Sequence, residues 1–241
     1  MINNVFKVYI IFLVAVSSIS QTHYEVEYAL EPVNLEKIQK LSIGENEKET
    51  LIGYLSIINK SLNKTKDTPF YTLEFDEEKS IFSKIPRMGS DHDRFLNDYI
   101  AEHLVYADFS KKTIEIFNAY PEKYFLVEVD YIENWKIHNE TKKIIDFNCV
   151  KATARIINPS TGKLIEVEAW FAKDLPFSFG PHYANGLPGL ILQFKYGQAL
   201  DLKAVSMKKK SKDLKTKKPK YIKKMSPKEY NNYVKGNLKF E

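Results

Sequence analysis

Cys149 is the only cysteine in the chain, so no disulfide closes within one molecule and the fold must be held by its core. Motifs of nucleotide and metal chemistry are missing too. There is no P-loop, no dinucleotide fingerprint, no Gly-x-Ser-x-Gly elbow, and no His-x-x-x-His or Cys-x-x-Cys spacing. The sequence therefore points to no cofactor, no resident metal and no named catalytic residue. Long apolar runs are also scarce. The longest, Val8–Val16, falls well short of the roughly 18 residues that span a bilayer. Lys7 precedes that run and Ser17-Ser18-Ile19-Ser20 follows it. A basic start, a short apolar centre and a small-residue end read as a signal peptide over 1–20, with the mature chain starting at Gln21. Export to the periplasm or cell surface is the expected address.

Hydrophobic residues make up 44% of the 241, and there are 15 Tyr and 15 Phe. Such a chain buries a core of its own, and its aromatic content favours strands. Charge is unevenly spread. Between Met207 and Glu241 thirteen lysines face only Asp213, Glu229 and Glu241, a balance of +10. The whole chain is +5 and the first twenty residues carry +1, which leaves residues 21–206 at about −6. The expected organisation is one mainly β domain over 21–206 and a Lys-rich tail over 207–241. That tail suits a solvated segment or contact with an anionic surface. Nucleic acid is not an expected partner, because no recognition motif accompanies the basic runs.

Apolar and polar residues alternate with period two through 24–30, 71–75, 125–131, 165–171 and 190–196. Further strand candidates are 51–59, 79–85, 104–109, 113–118, 144–156 and 200–206. Roughly ten strands with short turns predict a curved antiparallel meander sheet or open barrel. One or two short helices complete it, over 91–104 and 227–235. The second begins Ser226-Pro227-Lys228-Glu229, a capping-box spacing with proline at the first helical position.

Cys149 sits among Phe147, Val150 and Ala152, where a buried structural thiol, a reactive thiol near Lys151 and an intermolecular disulfide are all open readings. Apolar residues change face at 149–150, which suggests a β-bulge or a strand buried on both sides. Asp91-His92-Asp93 with His103 offers a four-ligand set for metal only if a helix start folds back. An exposed helix start explains the same residues more simply.

The segment 174–194 is the most informative. Pro176, Gly180-Pro181, Asn185-Gly186 and Pro188-Gly189 crowd turn chemistry between two strands. Pro188-Gly189 suits the centre of a type II turn with positive φ at Gly189. Phe177, Phe179, His182, Tyr183, Gly186, Leu187, Pro188 and Gly189 are the candidate contact residues. The loop is either a ligand or partner edge or a plug closing one end of the core.

Residues 186–191 spell Gly-Leu-Pro-Gly-Leu-Ile, and with this the chain resembles the GLPGLI family. Asn134-Trp135-Lys136-Ile137, Cys149-Val150-Lys151-Ala152, Ala169-Trp170-Phe171, Leu175-Pro176 and Gly180-Pro181 carry the likeness over 134–194. Asp146-Phe147 departs from the Gly-Tyr pair of some members. The resemblance implies an exported protein of Bacteroidetes and no particular reaction. The function expected is an envelope-associated binding or scaffold module. Its apolar sheet face or signature loop would contact an apolar small molecule, lipid or peptide, or an envelope protein. The alternative is an exported hydrolase with a site near 174–188 and His182 as base.

Overall fold

The computed structural model describes residues 23–86, 103–119, 123–158, 164–198, 200–211, 214 and 217–237. Twelve strands and three helices are described there. β1 (His23–Leu30) leads to α1 (Leu35–Gln39) and α2 (Glu45–Lys64). Then come β2 (Tyr71–Phe75), β3 (Lys79–Lys84), β4 (His103–Asp108), β5 (Thr113–Ala119) and β6 (Tyr124–Val129). The second half holds β7 (Lys136–Ile144), β8 (Phe147–Ile157), β9 (Leu164–Ala172), β10 (Leu190–Tyr196) and β11 (Leu200–Lys210). β12 (Tyr221–Met225) and α3 (Pro227–Asn237) end the described chain.

All strands join one sheet in the order β12-β6-β5-β4-β3-β2-β1-β11-β10-β9-β8-β7. Two meanders, β1–β6 and β7–β11, are sewn together where β1 pairs β11 over His23↔Lys210 to Leu30↔Leu202. The sheet is mainly antiparallel and stays open. It curls strongly, because Val127 of β6 and Tyr196 of β10 line one cleft although six strands lie between them in the order.

The alternation read from the sequence decides which side chains fill the inside of the curl. Val26, Tyr28 and Leu30 of β1 are buried there with Leu73 and Phe75 of β2, Phe82 of β3, and Phe171 and Phe194 of the other half. β10 carries a bulge between Ile191 and Gln193. The Tyr28 hydroxyl donates to the Ile191 carbonyl at 2.7 Å, so that buried acceptor at the bulge is satisfied.

Residues 51–59 are helical, a correction to the expected strand. Leu51, Leu55, Ile58 and Leu62 fall at helical spacing, and Glu45 and Glu47 occupy the first turn of α2. Leu55 packs with Val33 and Ile38, while Ile58 and Leu62 enter the main core. Asn59 clamps the helix to the chain after β1: its Oδ1 accepts from Val33 N and its Nδ2 donates to Val33 O, both at 2.8 Å.

The helix expected over 91–104 falls mostly outside the described residues, and its C-terminal end is corrected, since His103 opens β4. The strand expected over 144–156 is two strands. Ile145 takes φ +53° and turns β7 into β8, and the β8–β9 register runs unbroken through Cys149↔Ala172. The face change at Cys149 therefore reflects burial on both sides of the sheet, not a bulge.

The Lys-rich end begins inside β11, and β12 adds the sheet's one parallel pairing, beside β6. Between them the chain crosses the outer face. Leu214 packs on the outward cluster Ile81, Tyr106, Phe117 and Leu126, and the Tyr106 hydroxyl donates to Lys217 O at 2.8 Å. Lysines of this region meet outward carboxylates: Lys208 with Glu27 at 3.6 Å, Lys210 with Glu25 at 3.0 Å, Lys224 with Glu128 at 2.6 Å, and Lys218 with Glu115. The capping box forms at α3, where Ser226 N donates to Glu229 Oε2 at 2.8 Å and Glu229 N donates to Ser226 Oγ at 3.3 Å. Tyr230 and Tyr233 then rest on Phe125, with ring centroids 5.9 and 4.9 Å away.

A chain ending at Lys210 should lose stability even though it keeps most of the sheet. It uncovers Ile81, Tyr106, Phe117 and Leu126 and turns β6 into an open edge. Partial re-exposure at about 25 cal/mol per Å² puts the loss on the order of 3 kcal/mol. Urea unfolding of the two lengths checks this, and equal midpoints would refute the packing role of the strap.

Candidate functional site

The seventeen-residue loop between β9 and β10 organises itself by short hydrogen bonds. Phe177 N donates to Leu175 O at 2.7 Å, Gly186 N to Ser178 O at 3.3 Å, and Gly189 N to Leu187 O at 2.9 Å. Leu190 N reaches Leu175 O and Ile191 N reaches Phe179 O, each at 2.9 Å, and Ser178 Oγ donates to Leu187 O at 2.9 Å. Because its backbone groups find partners locally, the loop can lie over the sheet and bury apolar side chains.

The candidate residues divide into two groups. Phe179 and Leu187 are buried, and Phe177 is half-buried. The Phe177 ring sits 5.0 Å from Phe75 and 5.2 Å from Tyr24, and Phe179 lies 6.1 Å from Phe75. These side chains seal the core against the β1–β2 half. His182 and Tyr183 instead line a cleft, while Gly186 and Pro188 are exposed.

Asn185, which sequence reasoning had read only as half of a turn pair, ties the loop to the segment joining β6 to β7. Its side chain is buried, its Oδ1 accepts from Ile132 N at 3.2 Å, and its Nδ2 donates to Tyr183 O at 2.6 Å. Its carbonyl accepts the Trp135 indole N–H at 2.8 Å. Gly186 at φ +83° permits this approach, since a Cβ there would stand 2.6 Å from Ile132 O. The sequence signals were present in Asn185-Gly186 and Trp135, but nothing in them showed that the two segments meet.

Gly189 corrects the type II turn. It has no positive φ; its hydrogen matters because a Cβ would sit 2.3 Å from the Ala172 carbonyl oxygen. The positive φ angles in this stretch belong to Gly186 and, unusually for a residue with a side chain, to His182 at φ +58°.

The cleft lies where the two ends of the curled sheet face one another. Its inner chamber, about 230 Å³, is lined by Ile116, Val127 and Val129 on one side and His182, Tyr183 and Tyr196 on the other, with Tyr230 of α3 at the lip. The His182 ring is 4.4 Å from Tyr183 and 5.9 Å from Tyr196, and the two tyrosines meet edge-on at 5.7 Å. Burial, reinforced by the Tyr196 hydroxyl, pushes the Tyr183 phenol far above its ordinary range. Sequence reasoning missed Tyr196 and Tyr230, which lie beyond the loop. An adjoining groove of about 480 Å³ runs between the 128–134 segment and the end of β8.

Cys149 is not among the residues lining the cleft. It is free and fully buried. Burial pushes its thiol from the ordinary 9.0 up to about 11, against the opposing field of Lys142. Lys142 lies 4.0 Å over the Trp170 ring and donates to Gln193 Oε1. Gln193 in turn donates to Asp201 at 2.7 Å, so this polar cluster on the second sheet half is internally bonded. Among the described residues no group of three His, Cys, Asp or Glu side chains is placed to hold a metal ion. His92 lies outside the described residues, and His138 meets Thr153 Oγ1 at 2.8 Å.

Two stability effects follow from this geometry. Gly189→Ala should cost about 1–3 kcal/mol by overpacking against Ala172. Asn185→Ala should cost about 1–3 kcal/mol by orphaning the buried Ile132 amide. Denaturant titration checks both, and a neutral result at either position would refute its assigned contact. The raised thiol of Cys149 means that the folded state holds its proton more tightly than the unfolded chain. That stability is complete below pH 9 and is lost as pH rises from 9 toward 11. Cys149→Ala should remove this alkaline component, and Ellman's reagent should label the native thiol slowly at neutral pH.

Residues 158–193, which contain the whole of the Gly186–Ile191 hexapeptide, match a family model described as "Protein of unknown function (Porph_ging)". No curated protein matches the chain. Among solved structures, PNGF-II in space group P21 superposes with a TM-score of 0.52 at 15% identity, over 85% of this chain and 32% of that one. PNGF-II in space group C2 gives 0.53 at 14% identity, over 90% and 33%. The chain thus spans about a third of the PNGF-II chain, and at this identity the likeness is one of fold alone.

Proposed function

We propose that this chain is an exported binding module of the bacterial cell envelope whose contact surface is the cleft at the mouth of the curled sheet. The observation that carries the reading is the convergence of His182, Tyr183, Tyr196 and Tyr230, from a loop, a strand and a helix, around one chamber. Ring side chains with an apolar floor and a few polar tips make a general ligand-binding surface. The apolar sheet face first expected to bind is filled by the protein's own Phe177, Phe179 and Leu187, so recognition falls to the other half of the loop. Export rests on the pattern of residues 1–20 and on the resemblance to the GLPGLI family over 134–194. No helix among the described residues is long and apolar enough to cross a membrane.

The test is native mass spectrometry of protein taken from the envelope of its host, parent beside the double variant His182→Ala, Tyr230→Ala. Both side chains are only half-buried, so the melting temperature should move by less than about 3 °C. A small molecule or peptide should accompany the parent and be lost from the variant. An occupant held equally by both would move the site elsewhere. Turnover of the occupant by the parent, lost in His182→Ala alone, would replace the binding reading with the hydrolase.

A further inference from the structure

The groove beside the chamber has two unfinished strand edges. β7 pairs with β8 only as far as Lys136↔Thr153, so Ala154–Ile157 have a strand partner on the β9 side alone. β12 pairs with β6 only as far as Met225↔Val127, so Glu128 and Val129 are partnered by β5 alone. These two stretches form opposite walls of the same groove. Main-chain donors and acceptors on such edges are completed by an incoming extended chain.

The side chains add selectivity. Ile157 is 66% exposed and its register partner Leu164 is 62% exposed. Asp130 and Glu133 line the groove, and no described cation pairs with either, whereas Glu128 is already bound to Lys224. Tyr183, 6% exposed, borders both groove and chamber, with its hydroxyl turned to that of Tyr196.

We infer that the groove takes a short extended peptide segment bearing lysine or arginine, which adds backbone hydrogen bonds along 154–157 or 128–129. It would set its cationic side chain beside Asp130 and Glu133. This deepens the binding reading, on which it rests, by naming the ligand class. Arg155, also on the rim, disfavours a second cation on the same face, so the peptide carries one basic residue among apolar ones.

The probe is acetyl-Val-Val-Lys-Val-Val-amide, titrated into the full chain and followed by amide chemical shifts. Residues 128–134 and 155–158 should shift saturably, and the peptide with glutamate in place of lysine should not move them. Asp130→Asn with Glu133→Gln should weaken the lysine peptide about tenfold, and Ile157→Ser should weaken it without altering the fold, the side chain being exposed. Shifts that do not saturate, that are equal for the two peptides, or that ignore the carboxylate changes overturn the inference. If the native occupant is still lost from the His182/Tyr230 variant while the peptide fails, the cleft reading stands and only the peptide assignment falls. Failure of both ends both.

Discussion

The curl of the sheet is imposed by the short segment 130–135, which joins β6 near one end of the strand order to β7 at the other, and the β9–β10 loop packs onto that segment. Open antiparallel sheets twist, and here the link between β6 and β7 brings the two ends near each other while Asn185 fixes the link in place. It satisfies a buried amide of the 130–135 segment with its side chain and the Trp135 indole with its carbonyl. Behind it Phe177 and Phe179 press on Phe75, whose strand belongs to the first meander. The polar contact sets the position and the aromatic contact supplies most of the energy, since each fully buried Phe is worth about 1.5–3 kcal/mol. Every later feature, from the chamber to the groove, exists because these two halves are held facing each other.

A second constraint acts on the outer face. An acidic body and a basic end are conspicuous in composition, and the pairing of Lys208, Lys210, Lys218 and Lys224 with Glu27, Glu25, Glu115 and Glu128 spreads the neutralisation over three strands. Exposed pairs of this kind contribute little singly. Their effect is on route: they favour a strap lying across β6–β3 over one pointing into solvent. Leu214 and the Tyr106 hydroxyl then anchor it. The parallel pairing of β12 follows from that route, since a chain returning across a sheet face enters the edge in the direction the crossover imposes.

Much of this was legible in the residues. Period-two alternation located β1, β2, β6, β9 and β10 within a residue or two, and Ser226 to Glu229 marked the start of α3. The failures have physical causes. Leu51, Leu55, Ile58 and Leu62 satisfy a helical stripe, but Ile52, Tyr54, Ser56 and Ile57 between them also imitate a buried strand, and short apolar runs do not settle the matter. Ile145 carries the β7–β8 turn in a left-handed conformation that a β-branched residue rarely takes, so no turn signal stood there. For the site, the loop was visible as a loop, but its neighbours were not. Tyr196 and Tyr230 reach it only through the curl, a long-range consequence of joining β6 to β7 across the strand order.

Gly189 matters for its missing side chain and not for backbone freedom. The sequence Pro-Gly suggests backbone freedom; the structure uses the missing side chain to let β10 start against the Ala172 carbonyl. That close approach brings Leu190 and Ile191 into the core and fixes where the loop begins its return. With one end held by Gly189 and the middle by Asn185, the stretch 181–184 between Gly180 and Asn185 becomes the part of the loop left to face the cleft. His182 pays the backbone cost there, a left-handed φ in a non-glycine residue, which is tolerated when the surroundings over-determine it. The strain falls on the residue that faces the chamber, with its neighbours on either side fixed by packing. This is the arrangement expected where a loop's stability is supplied by one half of its side chains and its recognition by the other.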